Sequence, residues 1–129
     1  MMQLIRQQQP NHCGVAVLAM ITNLPYYEVV AKLGTALRET GVNEMYMRQF
    51  LWDMGYSIRQ MYKTDLIKNF SMRNSWPHAP FANSHAVFVT PHHWVAMDSR
   101  GIVYDPWKDG QHSLSDYSVY SIIGVSELL

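Results

Sequence analysis

With 129 residues, 48% of them hydrophobic, the chain is sized for one domain spanning residues 1–129 around a single core. Ten basic residues against ten acidic ones leave no net charge, which removes the electrostatic footprint of a nucleic-acid binder or membrane-surface protein and favours neutral or peptide partners. Cys13 is the only cysteine and excludes an internal disulfide, and Met1 to Arg6 has no apolar run of signal-peptide length behind its charge, so a cytoplasmic location is expected.

The first organised stretch is Gln7-Gln8-Gln9-Pro10-Asn11-His12-Cys13-Gly14, which runs into the apolar segment Val15 to Ile21. Pro10 discourages helix before it and Asn11 is a good N-cap, so a helix is predicted from His12 or Cys13 to Thr22 or Asn23. Its apolar segment has no polar face, which predicts a central helix packed on several sides. It is also far shorter than the roughly 20 residues a membrane-spanning helix needs, so no span is expected.

Asn23-Leu24-Pro25 opens a second helix whose stripe of Tyr26, Tyr27, Val29, Val30 and Leu33 stops at Gly34. Asn43 caps a third, in which Met47, Phe50, Leu51 and Met54 share one face and Gly55 closes the element. Beyond it the period changes. A strand is predicted over Ser57 to Tyr62, a short helix over Asp65 to Phe70, and an irregular connection over Ser71 to Ser84 that has the makings of a cleft wall. Three short strands follow, His85 to Val89, His93 to Met97 and Gly101 to Tyr104, as an antiparallel meander. Asp98-Ser99-Arg100-Gly101 carries the type I turn signature between the last two. Pro106 ends the third strand, Lys108 to Ser113 reads as a polar loop, and a last strand is predicted over Ser118 to Ile123. Helices first and sheet second make an α+β domain.

Chemistry centres on Cys13. A thiol at the first turn of a helix sits at the positive end of the helix dipole, where thiolate is favoured. Attack on a carbonyl also needs a base, a group to orient the base, and donors for the oxyanion. His93 is the candidate base. A turn with a one-residue bulge at Gly101 gives the hairpin an even register and puts Asp105 on the face of His93, whereas a plain two-residue turn gives the opposite parity. Each residue also has an ordinary reading: Cys13 as a small buried hydrophobe, His92 and His93 as a solvated pair beside a turn, Asp105 as a strand-ending residue, Gln7 as a loop side chain. Six histidines raise the question of zinc, but no His-Glu-x-x-His, no second cysteine and no shared segment support a metal site.

Gln7, then Cys13-Gly14-Val15-Ala16 with Leu18-Ala19-Met20-Ile21, then His93-Trp94-Val95 and Tyr104-Asp105-Pro106, in that order, resemble a papain-like cysteine peptidase. The pattern is most similar to the bacteriocin-processing, double-glycine leader peptidase family. The resemblance spans most of the chain. It implies a papain-like fold with the nucleophile Cys13 opening the central helix, His93 and Asp105 completing a triad from the sheet, and Gln7 helping to form the oxyanion hole. It implies a peptide substrate and no cofactor or metal. Two features depart from the family: His12 stands where an acidic residue is usual, and the membrane-spanning transporter fused to many members is absent. The expected activity is therefore thiol-dependent cleavage of a peptide or isopeptide bond. Acyl transfer on the same triad, and a papain-like module that holds a peptide without cutting it, are the alternatives.

Overall fold

A computed structural model of the chain describes residues 2–61, 84–90 and 93–127. Helix α1 (Cys13–Thr22) is buried at every position from Cys13 to Ile21. An unbroken apolar run leaves no side for water, so the helix is stable only where other elements enclose it. α2 (Tyr26–Leu33) and α3 (Glu44–Asp53) pack on it from one side and the sheet from the other. Asn23, in the left-handed conformation at φ 60°, ends α1, and Asn43 caps α3 by accepting a 3.0 Å bond from the Tyr46 N–H.

Asn11 is not the cap the sequence predicts for α1. His12 occupies the N-cap position with no side-chain cap bond, because the Asn11 amide reaches instead to the Glu39 carbonyl at 2.7 Å and ties the loop to the connection before α3. Gly14 makes a close approach possible on the same side: a Cβ there would lie 2.5 Å from Val42 Cγ1.

Among the described residues six strands form one antiparallel sheet, β1 (Tyr56–Met61), β2 (Ser84–Thr90), β3 (His93–Asp98), β4 (Ile102–Tyr104), β5 (His112–Ser113) and β6 (Ser121–Glu127), in the order β1-β6-β2-β3-β4-β5. Both faces are covered. Ala86, Trp94, Ala96, Tyr104, Ile123 and Val125 join the α1 core, while Val87, Val89, Val95, Met97, Val103 and Ile122 form a second cluster under Leu114, Tyr117 and Val119.

Two C-terminal expectations change. The stretch from Lys108 to Ser113 contains the short strand β5, which pairs with β4. The last strand runs from Ser121 to Glu127 rather than from Ser118 to Ile123, because Tyr117 and Val119 pack over the second face of the sheet and the chain joins the ladder only afterwards. The predicted strand over Ser57 to Tyr62 starts one residue earlier, at Tyr56, and is described to Met61; Ser84 belongs to β2. The predicted helix over Asp65 to Phe70, and residues 71–83 of the predicted connection, lie outside the described residues.

The β3–β4 hairpin has the register on which the site depends. Ala96 faces Tyr104 and Met97 faces Val103, an even register that puts Asp105 in phase with His93 and Val95. Gly101 takes φ 86° and donates its N–H to the Asp98 carbonyl at 3.0 Å. The buried Asp98 carboxylate holds this turn by accepting from the Arg100 and Ile102 N–H groups at 2.9 and 3.1 Å, the Arg100 guanidinium at 2.9 Å and the Tyr104 hydroxyl at 3.2 Å. Burial alone would raise the pKa of Asp98; these donors, Arg100 foremost, hold it below the ordinary carboxylate value.

Gly14→Ala is expected to lower stability by about 1–3 kcal/mol through overpacking against Val42. Urea unfolding of Gly14→Ala and of Gly14→Ala with Val42→Ala checks this: the second substitution recovers part of the loss, and equal midpoints for wild type and Gly14→Ala would refute the close contact.

Candidate active site

Cys13 opens α1 at the end of a loop that is fastened on two sides. The Gln7 N–H donates to the Pro106 carbonyl at 3.1 Å, joining the loop to the segment beyond β4. The Tyr26 hydroxyl accepts from the Gln8 N–H at 3.1 Å and meets His12 Nδ1 at 2.8 Å. Burial lowers the pKa of His12, and a neutral ring accepting the Tyr26 hydroxyl proton at Nδ1 satisfies both partners. The pKa of Tyr26 is raised, first by burial and then by the charge of Cys13 nearby.

His93 is the first residue of β3 and Asp105 lies one residue beyond β4, so the hairpin delivers both to the same end of the sheet. His93 Nε2 is 2.9 Å from Asp105 Oδ1, and the Cys13 side chain lies near enough to the ring to act on its titration. With Nε2 committed to Asp105, Nδ1 is the ring nitrogen left for another partner. Burial pulls the His93 pKa down, but the bonds to Asp105 and Cys13, with their charges, outweigh it and raise the pKa to about 9. His92 lies outside the described residues.

Asp105 is 1% exposed, and its carboxylate accepts from three donors. Oδ1 accepts from His93 and from the Trp107 N–H at 2.9 Å, and Oδ2 from the Tyr117 hydroxyl at 2.9 Å. Burial works to raise its pKa, and these donors, His93 first, bring it below the usual value. Tyr117, whose own pKa is raised by burial and by its bond to Asp105, is a partner that pattern reading misses. It follows the single-turn helix Leu114–Asp116 at the start of a segment rich in Val, Ile and Tyr that reads as a strand, and nothing in its neighbours marks its hydroxyl. Tyr26 is missed for the same reason, because its place in the α2 stripe already explains it.

Gln7 reaches the site in a particular posture. Its amide nitrogen donates to the Gln9 and Pro10 carbonyls at 2.9 and 2.7 Å, while Oε1 is buried with no partner among the described residues. Gln7, Cys13, His93 and Asp105 are thus brought to one region, with His93 bonded to Asp105 and near Cys13, and Gln7 lining the same cavity as His93 and Asp105 with both amide hydrogens turned to the loop. Among the described residues no group of three or more His, Cys, Asp or Glu could hold a metal ion.

Two solved structures share this architecture across almost the whole chain. One is a double glycine motif protease from an AMS/PCAT transporter, in complex with its leader peptide, at TM-score 0.74 and 16% identity over 98% of this chain and 92% of that one. The fold is that of a peptidase domain. The other is the peptidase domain of Streptococcus ComA, a bifunctional ABC transporter involved in quorum sensing, at TM-score 0.66 and 14% identity over 98% of this chain and 99% of that one. No protein-family model matches the sequence, and no curated protein is similar to it by sequence. Among the described residues no single helix is long and apolar enough to cross a membrane.

Tyr117→Phe removes one donor from a buried carboxylate and is expected to cost about 1–2 kcal/mol at pH 7. The folded pKa of Asp105 is depressed, so its contribution to stability is present above the ordinary carboxylate range and is lost as pH falls. The deficit of Tyr117→Phe should therefore shrink towards acid pH. Denaturant unfolding of both proteins between pH 7 and pH 3 measures it, and a constant difference would deny the link to Asp105.

Proposed function

We propose that the chain is a cysteine peptidase that cuts peptides carrying a double-glycine motif, with Cys13 as nucleophile, His93 as base and Asp105 as its orienting anion. The observation that carries this reading is the position of the His93 ring, bonded at 2.9 Å to Asp105 and near enough to the Cys13 side chain for the thiol to raise its pKa. The double-glycine preference comes from one solved neighbour, a double glycine motif protease in complex with the leader peptide.

In this mechanism His93 takes the thiol proton and the Cys13 sulfur attacks the peptide carbonyl carbon. Negative charge moves to the carbonyl oxygen, where the backbone N–H at the first turn of α1 and the helix dipole meet it. Gln7 adds a donor if its amide turns away from the loop, which frees an N–H for the oxyanion. The C–N bond then breaks, the leaving amine takes the proton from His93, and water hydrolyses the Cys13 thioester with His93 as base. Asp105, held by three donors, keeps the ring oriented throughout. Passing the acyl group to an amine, or holding a peptide uncut, would use the same residues, and product masses separate these outcomes.

Two outcomes are expected. A peptide with a Gly-Gly pair ahead of a short tail should be cut after the pair, and the same peptide with Ala-Ala should be cut far more slowly. Cys13→Ala should remove all cleavage, and mass spectrometry of the products decides; no cleavage of either peptide by the wild type, or equal cleavage by Cys13→Ala, rejects the reading.

The second outcome concerns pH. The folded pKa of His93, about 9, lies above its ordinary 6.5, so the stability it contributes is complete below about 6.5 and is lost as pH rises through 9. The imidazolium that donates to the leaving amine is lost over the same range. Turnover and thermal stability should therefore both decline near pH 9, and His93→Ala should show no such step in stability. Two unchanged stability profiles across pH 7–10 would contradict the assignment.

A further inference from the structure

Two cavities flank the His93–Cys13 contact. One, of about 420 Å³, runs from Cys13 and Gly14 to Arg38, Val42 and Trp94 and does not touch His93. The other, of about 390 Å³, is walled by Gln7, His93, Asp105, Trp107, Lys108 and Tyr117. If the chain acts as a cysteine peptidase, the two are not equivalent. The leaving amine takes its proton from His93, so the half of the substrate beyond the cut bond lies in the cavity that has His93 in its wall.

The charges of that second cavity do not cancel. Asp105 is paired with His93 and also accepts from the Trp107 N–H and the Tyr117 hydroxyl. Arg6 and Asp109, just outside, neutralise each other. Lys108 has no carboxylate partner among the described residues, and its ammonium stands 5.7 Å from the centre of the Tyr117 ring. Beside it Trp107 is 57% exposed and offers an apolar shelf. The turn that carries both side chains is anchored by the orienting anion itself, with the Trp107 N–H on Asp105 Oδ1 at 2.9 Å and the Lys108 N–H on the Asp105 carbonyl at 3.1 Å. The result is an aromatic shelf ending in a cation with no ion-pair partner among the described residues, placed by the residue that places the base. Asp116 also lies near Tyr117, where its carboxylate accepts from the Ser113 N–H.

We propose that this cavity is a subsite for an acidic residue, aspartate or glutamate, in the first positions after the cut bond, and that Lys108 is the residue that selects it. The side-chain methylenes lie along Trp107 and the carboxylate meets the Lys108 ammonium. This rests on the peptidase reading and goes further, because it assigns chemistry to the leaving half of the substrate.

The leaving side can be probed without knowing the natural substrate. The p-nitrophenyl ester of acetyl-Gly-Gly acylates Cys13, releasing nitrophenolate in a burst. A dipeptide amide added next competes with water: its amine attacks the thioester carbonyl, a C–N bond forms, the C–S bond breaks, and the amine proton passes through His93 to the departing thiolate. The ratio of aminolysis to hydrolysis for Glu-Ala, Ala-Ala and Lys-Ala amides, read by mass spectrometry, reports the preference of the cavity. Wild type should favour the glutamyl over the lysyl nucleophile about fivefold at low salt, and the ratio should narrow as salt screens the pair. Lys108→Ala should level the three nucleophiles and Lys108→Glu should reverse the order, each read as a ratio of products from one acyl-enzyme so that any change in the rate of acylation cancels. Equal ratios in the wild type, or the same glutamyl preference in Lys108→Glu, overturn the subsite while leaving the peptidase reading standing. Absence of a burst overturns that reading and the subsite with it.

Discussion

Burial of α1 is the constraint from which the rest of the molecule follows. Nine successive buried residues, from Cys13 to Ile21, leave the helix no solvent face, so it is enclosed by α2 and α3 on one side and the sheet on the other. A helix so enclosed still has an end. Its first turn leaves backbone N–H groups that cannot pair within the helix, and these together with the dipole make the N-terminal end the natural place for an anion. Cys13 stands there, at the junction where the helical half of the chain meets the strands.

The sheet answers with a carboxylate. Asp105 is nearly inaccessible to water, and it is tolerable there because an imidazole, a backbone N–H and a phenol all donate to it. One buried anion therefore orders three parts of the chain: the start of β3 through His93, the turn after β4 through Trp107, and the C-terminal segment through Tyr117. The N-terminal loop closes the arrangement through the bond from Gln7 to the Pro106 carbonyl, which links residues nearly one hundred positions apart. Neither half holds the site alone.

Much of this was legible in the sequence where the signal is local. The apolar run after Cys13, the Asn43 cap, and the Asp98 to Gly101 turn are short-range patterns, whereas the parity of His93 and Asp105 stays open in the sequence between a bulged and a plain turn and is fixed by the register of Ala96 with Tyr104. What escaped depends on contacts between distant segments. β6 lies between β1 and β2, which no local period encodes, and its start was misplaced because Tyr117 and Val119 look like strand residues while serving as a cover for the other face. Tyr117 and Tyr26 were hidden because an aromatic residue in an apolar stretch already has a sufficient explanation in packing; only the hydroxyl partner distinguishes them. Asn11 has the side chain of a local cap and makes a distant bond to the Glu39 carbonyl instead.

The turn between β3 and β4 looks like the least specialised part of the chain, four residues at the far end of the hairpin from Cys13. Yet its length sets a parity that is read at the other end. Because side chains alternate with a period of two, one residue added or removed between Asp98 and Gly101 would leave both strands intact and still exchange the faces of β4, carrying Asp105 away from His93. Substitution at the exposed Ser99 meets no such limit. A surface turn, ordinarily the place where chains lengthen and shorten freely, is here as intolerant of a change in length as the core is of a change in volume.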